Sequence, residues 1–350
     1  MRASIAIASH NEGDLLWKTV RSCLETTEGL DIEVVVADDA STDGSVEELR
    51  RRYPDVRADV VPSRLGVSPT KDRAGRMSRG DVIIFLDAHC KPEPGSIERL
   101  IRDVEECQGQ AIITPKVAAL DVETWTCDTE IVGYGFLTEL SWFDTSWIDR
   151  DDLKVIEGPN GRTYLRQPSV IGCSIALSRD LYEKLWGFDP DMKSYGAEDL
   201  DFGFKSWLMG HPVYLDEEIT VGHRFRGEFS TYDAPNPHQL LNQCRMARKN
   251  FTDPIWENWL QRNRRRYVEP VWDSAMALFE ESRASVERER DYLMKTRKHD
   301  EFWYAEEFGL TATLHANGND DHPTPVTATI IPPPTRSPKP QRRSTKNQST

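Results

Sequence analysis

The chain has 350 residues, 44 Lys and Arg against 58 Asp and Glu, a formal net charge of −14, 38% hydrophobic and 29% charged residues. At about 100–200 residues per domain, that is one large domain or two ordinary ones, too apolar in composition for a disordered chain. Such acidity excludes nonspecific affinity of the folded part for nucleic acid or an anionic membrane, and no apolar run approaches the ~20 residues of a membrane span.

Met1-Arg2-Ala3-Ser4 runs directly into apolar residues, too short and too soon followed by charge for a signal peptide. Cys23, Cys90, Cys107, Cys127, Cys173 and Cys244 form no C-x-x-C pair and no regular spacing, so neither a zinc site nor a disulfide framework is predicted. Reduced thiols in a cytoplasmic protein with a small ligand are the expectation.

Two β-branched runs, Ile5 to Ala8 and Ile32 to Ala37, flank a segment whose Leu15, Leu16, Thr19, Val20, Cys23 and Leu24 recur at helical spacing. This predicts a β-α-β unit. Asp43 or Ser45 can cap a second helix over Val46 to Arg52, with a strand at Ala58 to Val61. A basic, helix-like stretch from Pro69 to Arg79, which includes Lys71, leads to the most apolar strand, Asp81 to Leu86. Such alternation predicts an α/β fold with a mostly parallel central sheet flanked by helices, and a ligand crevice beyond the carboxyl ends of the strands. The residues there are Ser9-His10-Asn11-Glu12, Asp38-Asp39 and Asp87-Ala88-His89.

From Ala118 to Gln167 the periodicity weakens and Trp125, Trp142 and Trp147 crowd in, which predicts a looped, substrate-shaping region rather than more core sheet. Ser169 to Leu177 reads as a strand, Arg179 to Leu185 and Leu200 to Met209 as helices, and Val213 to Leu215 as a strand preceding Ile219 to His223. Beyond Pro237 the pattern is helical to about Leu310; from Gly318 on, Pro and Thr dominate with interspersed cations and no apolar period, the composition of a disordered basic tail. The expected organisation is a catalytic domain over 1–250, a helical extension over 251–312 and a tail over 313–350.

Four constellations carry chemistry. Asp87 and His89, two residues apart past a strand end, can turn a carboxylate and an imidazole toward one divalent cation of the Mn²⁺ class, against the plainer reading of a loop cap and a partly exposed histidine. His223, in Val221-Gly222-His223-Arg224-Phe225-Arg226, can complete that site, and the arginines can neutralise a diphosphate. Tyr195-Gly196-Ala197-Glu198-Asp199-Leu200-Asp201 sets three carboxylates at a glycine turn that opens a helix. The helix dipole explains acidic residues there, yet three exceed what a cap requires, and one can act as general base toward an acceptor hydroxyl. Asp38-Asp39 places adjacent carboxylates at a strand end, where one can accept hydrogen bonds from a base or ribose, while Asp43 to Ser45 reads as an Asx turn and cap.

In this order the motifs, together with Asn242-x-x-Arg245-x-Ala247, resemble the GT-A glycosyltransferases over about residues 3 to 255, above all the catalytic domain of the polypeptide N-acetylgalactosaminyltransferases and glycosyltransferase family two. The resemblance implies a GT-A fold and an enzyme moving a sugar from a UDP-sugar to an acceptor hydroxyl or other nucleophile. It implies that Asp87, His89 and His223 bind Mn²⁺ or Mg²⁺. It further implies that His10, Glu12, Asp39, Arg64, Lys71, Asp87, Gly172 and Tyr195 line the nucleotide-sugar site, with Glu198, Asp199 and Arg226 serving catalysis. A leaving nucleoside diphosphate gathers negative charge in the transition state, so a cation and Arg226 stabilise it more than the bound donor.

Departures from the family's pattern shape the expectation. Glu198-Asp199-Leu200-Asp201 is the acidic form of inverting family-two enzymes, where the peptide-modifying enzymes have asparagine after the glutamate; retention and inversion both stay open. Gly172-Cys173 stands where N-acetyl-binding relatives have two glycines, so the donor sugar stays open among GalNAc, GlcNAc, Gal and Glc. The acceptor, whether peptide, glycan or small molecule, is not legible. The competing readings are a nucleotidyltransferase, which would carry a glycine-rich, lysine-bearing loop after the first strand, and a noncatalytic nucleotide-sugar-binding or scaffold protein, which would need none of these carboxylates and histidines.

Overall fold

The computed structural model describes residues 2–225 and 236–315. Arg226 and nearly all of the tail lie outside the described residues. In chain order the first half contains β1 (Ala3–Ser9), α1 (Asp14–Thr26), β2 (Ile32–Asp38), α2 (Ser45–Arg52), β3 (Arg57–Val60), α3 (Val67–Met77), β4 (Val82–Asp87), β5 (Cys90–Pro92) and α4 (Ser96–Glu106). There follow β6 (Ile112–Asp121), β7 (Thr126–Gly133), β8 (Phe136–Thr138), β9 (Thr145–Trp147), β10 (Lys154–Glu157), β11 (Thr163–Arg166), β12 (Ser174–Ser178), α5 (Arg179–Lys184), α6 (Glu198–Leu208) and β13 (Val213–His223). Six helices close the described chain: α7 (Pro237–Asn250), α8 (Asp253–Arg266), α9 (Glu269–Glu281), α10 (Arg283–Thr296), α11 (Glu301–Glu307) and α12 (Thr311–His315).

The main sheet runs β10-β11-β13-β6-β12-β4-β1-β2-β3, with β5 joined to β13 and β7 to β6. Its amino-terminal half, β4-β1-β2-β3, is parallel. There Ile5, Ile7, Val35, Val36, Ile83 and Ile84 are fully buried, as strands covered on both faces require. The other half is mixed: β13 lies parallel to β6, whereas β12 runs antiparallel to β4 and β6. No described helix is long and apolar enough to cross a membrane.

Two segments differ from the sequence reading. Region 118–167 is not mainly loop: β6 extends to Asp121, β7 pairs with it, β10 and β11 form one edge of the sheet, and β8 pairs with β9. These strands are short or half exposed, so their apolar positions never accumulate a period. Within it Trp147 packs edge-on against Phe136 and Phe225. Conversely, Ser169 to Leu177 is strand only from Ser174; Gly172-Cys173 is a turn, and its apolar neighbours Val170 and Ile171 are buried in the core without joining the ladder.

The carboxy-terminal helices share the core of the sheet layer. Phe143 packs on Phe251 and Trp259, Phe204 meets Tyr304 edge-on with ring centroids 4.4 Å apart, and the Tyr304 hydroxyl donates to the Pro168 carbonyl at 2.9 Å. Beneath these rings lies a buried ionic cluster. Asp189 accepts from Arg245 at 2.8 and 2.9 Å and from Lys249 at 2.8 Å; Lys249 also donates to Asp201 at 2.7 Å and Glu289 at 3.2 Å, and Lys205 donates to Glu289 at 3.1 Å. Glu289 belongs to α10, so the cluster ties the sheet layer to the last helices.

Candidate active site

Three parallel strands end side by side, with Ser9 opposite Asp38 and Ala8 opposite Asp87. The site occupies the space beyond them. His223 reaches it from the end of β13, whose antiparallel pairing with β5 puts His223 opposite Cys90, one residue after His89. One side-chain donor atom from each of Asp87, His89 and His223 lies within 4.8 Å of the others. The Nε2 atoms of the two histidines face each other at 3.1 Å, and Asp87 Oδ2 stands 3.6 Å from His223 Nε2 and 4.0 Å from His89 Nε2. Two imidazole nitrogens turned inward beside a carboxylate make a mixed O/N donor set that fits a divalent cation of the Mn²⁺ class. The other ring nitrogen of His223, Nδ1, is buried with no hydrogen-bond partner among the described residues. Glu12, which the resemblance assigns to the nucleotide-sugar site, lies with its Oε1 3.1 Å from His89 Nδ1, out of line for a hydrogen bond.

Behind this triad sits Lys71, buried on α3. Its ammonium donates to the Gly172 carbonyl at 2.9 Å and stands 3.6 Å from Asp87 and 3.8 Å from Glu198. Burial opposes its charge, but Asp87, Glu198 and Asp199 outweigh burial and hold its pKa above the ordinary lysine value. Asp87 is the mirror case: burial pushes its carboxyl up, and Lys71 and the histidines hold it well below the usual range. Glu198, short of any full ion pair, is pushed up to about 7, chiefly by burial and then by Asp199. Burial raises Asp199 as well. Gly172 is the residue that permits this crowding, since a Cβ there would lie 3.0 Å from both Asp199 Cβ and Lys71 Nζ.

The three carboxylates at the start of α6 divide between two faces. Glu198 and Asp199 face the site, whereas Asp201 points the other way and is bonded to Lys249 and Asn250 at 2.7 and 2.9 Å. Of the three, the two assigned to catalysis therefore stay with the site, and Asp201 belongs to the cluster held by α7. Asn242, whose motif was noticed without a role, holds the preceding turn. Its side chain accepts from Lys193 N–H and donates to the Lys193 and Gly196 carbonyls at 2.8–2.9 Å, which leaves the Tyr195 side chain half exposed at the rim.

On the far side of the crevice the two adjacent aspartates are occupied by backbone. Asp38 accepts from Ser41 N–H and hydroxyl at 2.8 and 2.6 Å, which closes the loop after β2, and Asp43 accepts from Ser45 N–H at 3.1 Å, the expected Asx turn. Asp39 accepts from Leu65 and Gly66 N–H at 2.5 and 3.0 Å, so it fixes the loop that carries Arg64, whose Nε is 3.9 Å away. Gly66 itself, at φ 114°, bridges to Ser194, where a Cβ would meet backbone at 2.5 Å. That contact joins the Arg64 loop to the Tyr195 loop across the crevice. His10 Nδ1 lies 2.6 Å from the Asp39 carbonyl, and since a carbonyl only accepts, the proton is on Nδ1. His10, Asp39 and Arg64 thus lie together, and Lys71, Asp87, Glu198, Asp199 and Gly172 lie together beside the histidines.

The sequence profile described as Glycosyl transferase family 2 matches residues 4–186, more than half of the 350. The chain belongs to that family. Among curated relatives, polypeptide N-acetylgalactosaminyltransferase 12 of Homo sapiens is 29% identical over 286 residues, covering 78% of this chain and 47% of the human enzyme. Polypeptide N-acetylgalactosaminyltransferase 3 of Taeniopygia guttata is 28% identical over 275 residues, covering 74% of this chain and 44% of the relative. The family 2 chain thus spans less than half the length of these relatives. A solved structure, GalNAc-T7 with UDP, GalNAc and Mn²⁺, superposes with a TM-score of 0.68 at 18% identity, covering 90% of this chain and 58% of that one. That similarity establishes the GT-A-type arrangement as this family 2 member's fold, with its mixed sheet and carboxy-terminal helices.

Proposed function

We propose that this protein is a metal-dependent glycosyltransferase that moves a sugar from a UDP-sugar to an acceptor nucleophile. One observation carries the reading: Asp87, His89 and His223 converge at the strand ends with Lys71, Glu198 and Asp199 directly behind them. The solved GalNAc-T7 neighbour was obtained with UDP, GalNAc and Mn²⁺, and the curated relatives are polypeptide N-acetylgalactosaminyltransferases, which supports UDP as the nucleotide.

Asp87, His89 and His223 would hold Mn²⁺ or Mg²⁺, whose charge neutralises the diphosphate as it leaves. Every other task falls to the protein. His10, Asp39 and the Arg64 loop flank the uridine, with Asp39 acting through the loop it anchors. Lys71 keeps Asp87 ionised and ready as a ligand. Glu12 orients His89. Tyr195 borders the donor sugar, and Arg226, outside the described residues, is assigned to the diphosphate from its motif alone. Asp199 is the general base: its carboxyl, raised by burial, takes the acceptor proton as the acceptor oxygen bonds the anomeric carbon and the bond to UDP breaks. That is an inverting course. Residues 1–250 form the catalytic unit in this reading, and 251–312 brace α6 through the buried ionic cluster. All six cysteines are free, which fits a reducing, cytoplasmic setting.

Calorimetric titration with UDP tests the reading. Binding with Mn²⁺ that vanishes with EDTA, and that Asp87→Ala removes while circular dichroism stays native, is the expected result. Equal binding with and without metal overturns it.

A further inference from the structure

Two of the cysteines that sequence spacing left unassigned meet at the same histidine. Cys90 opens β5 and stands opposite His223 in the antiparallel ladder. Cys173 arrives from the turn before β12: its carbonyl accepts from Asp87 N–H at 3.1 Å and from the Cys90 thiol at 3.4 Å, across 83 residues of sequence. One donor atom from each of Cys90, Cys173 and His223 lies within 4.8 Å of the other two. Both thiols are buried, at 0% and 5% exposure, so this is not a chance surface cluster.

In a tetrahedral zinc site, Zn–S of about 2.3 Å and Zn–N of about 2.0 Å set neighbouring donors roughly 3.3–3.8 Å apart. The trio's chemistry differs from that of its neighbour: two sulfurs and an imidazole select a thiophilic ion, whereas Asp87, His89 and His223 present a carboxylate and suit a harder one.

We propose that Cys90, Cys173 and His223 form a second metal site, selective for Zn²⁺, and that Zn²⁺ held there withdraws His223 from Asp87 and His89. Binding forms two Zn–S bonds and one Zn–N bond and releases the two thiol protons to solvent, with no change of oxidation state. Three protein ligands leave a fourth position for water. The site stands on the cysteines whatever the enzyme transfers; its antagonism of UDP binding rests on the function proposed above.

The test uses the full chain, reduced and freed of metal, titrated with Co²⁺ as the spectroscopic probe. The expected result is a thiolate-to-cobalt charge-transfer absorption that Zn²⁺ abolishes, that is lost in Cys173→Ser and Cys173→Ala, and that persists in Asp87→Asn. No such absorption in the wild-type chain, or one undiminished in both Cys173 variants, overturns the site. For the antagonism, one equivalent of Zn²⁺ is expected to abolish Mn²⁺-dependent UDP binding in the wild type and to leave it intact in Cys173→Ser. Zn²⁺ that substitutes for Mn²⁺ without loss of UDP binding overturns that half. A chain that shows the cobalt absorption but no metal-dependent UDP binding retains the site and loses the function reading, so the two failures are distinct.

Discussion

Helix α6 borders two clusters of charge, and they are built to opposite rules. On its buried side Asp189, Asp201 and Glu289 meet Lys205, Arg245 and Lys249, three against three, joined by hydrogen bonds of 2.7–3.2 Å. On its other side Asp87, Glu198 and Asp199 surround Lys71, the one ammonium facing them among the described residues, at distances of 3.6 and 3.8 Å from Asp87 and Glu198. In the first cluster every buried charge has a hydrogen-bonded partner of opposite sign. The second carries excess negative charge and two inward imidazoles, and it becomes balanced when a cation enters. Charges already matched to each other hold a fold, and charges left unmatched in a crevice are there for a ligand.

The comparison breaks most sharply at Asp199. Asp199→Asn is expected to leave UDP and Mn²⁺ affinity intact and to lower turnover by about 10²–10⁴-fold, the range for a lost general base. Turnover within a few-fold of wild type removes the inverting assignment and shifts attention to Glu198. Anomeric NMR of the product reads the stereochemistry independently.

The saturated cluster should answer in stability instead. Asp189→Asn leaves Arg245 and Lys249 buried without their shared carboxylate and is expected to cost about 3–5 kcal/mol in urea unfolding. The pH dependence follows with a definite sign. Burial raises the Asp189 carboxyl, but Lys249 and Arg245 outweigh burial and hold it well below its ordinary value. A depressed carboxyl contributes stability that is complete above its unfolded value of about 3.9 and drains away as the pH falls below that value toward the folded one. The wild type should therefore lose stability steadily below about pH 4. Asp189→Asn should show a shallower slope there, and an unchanged slope would assign the acid sensitivity to other carboxylates.

How far the sequence reveals these two clusters depends on where their residues lie. Asp87 and His89 follow the apolar run of β4, and a buried parallel strand announces its end, so the crevice and most of its lining are readable from the chain. The same holds for β1 and β2. Strands β7 to β11 are not readable, because β8 to β11 are only three or four residues long and β7, though longer, is polar in sequence, which leaves neither a period nor a run. Ser169 to Cys173 misleads for the opposite reason: it is apolar because it is buried, yet it forms the turn that brings Gly172 to Lys71 and Cys173 to Asp87. Asp201 sits in the most suggestive motif of the chain and still belongs to the saturated cluster, since only the helical turn separates it from Asp199. Its partners Lys249 and Asn250 are nearly fifty residues away, and no local pattern points to them.

Glu12 gives the smallest effect and the finest cut. Its place beside His89 Nδ1 is that of a residue that orients a ligand without being one. A carboxylate behind a metal-bound histidine fixes the ring and raises its basicity, and its loss typically costs about 10–100-fold in metal affinity. Glu12→Gln keeps the shape while removing the charge, so it is expected to weaken Mn²⁺ binding within that range and to leave the urea midpoint unchanged. UDP affinity at saturating Mn²⁺ should recover to the wild-type value. A positioning role predicts that recovery; a direct contact with the nucleotide, as its place in the sequence first implied, does not, because saturating metal could not restore a lost contact to UDP. Should the stability fall and the metal affinity hold, Glu12 would instead belong with Asp189 among the charges that serve the fold.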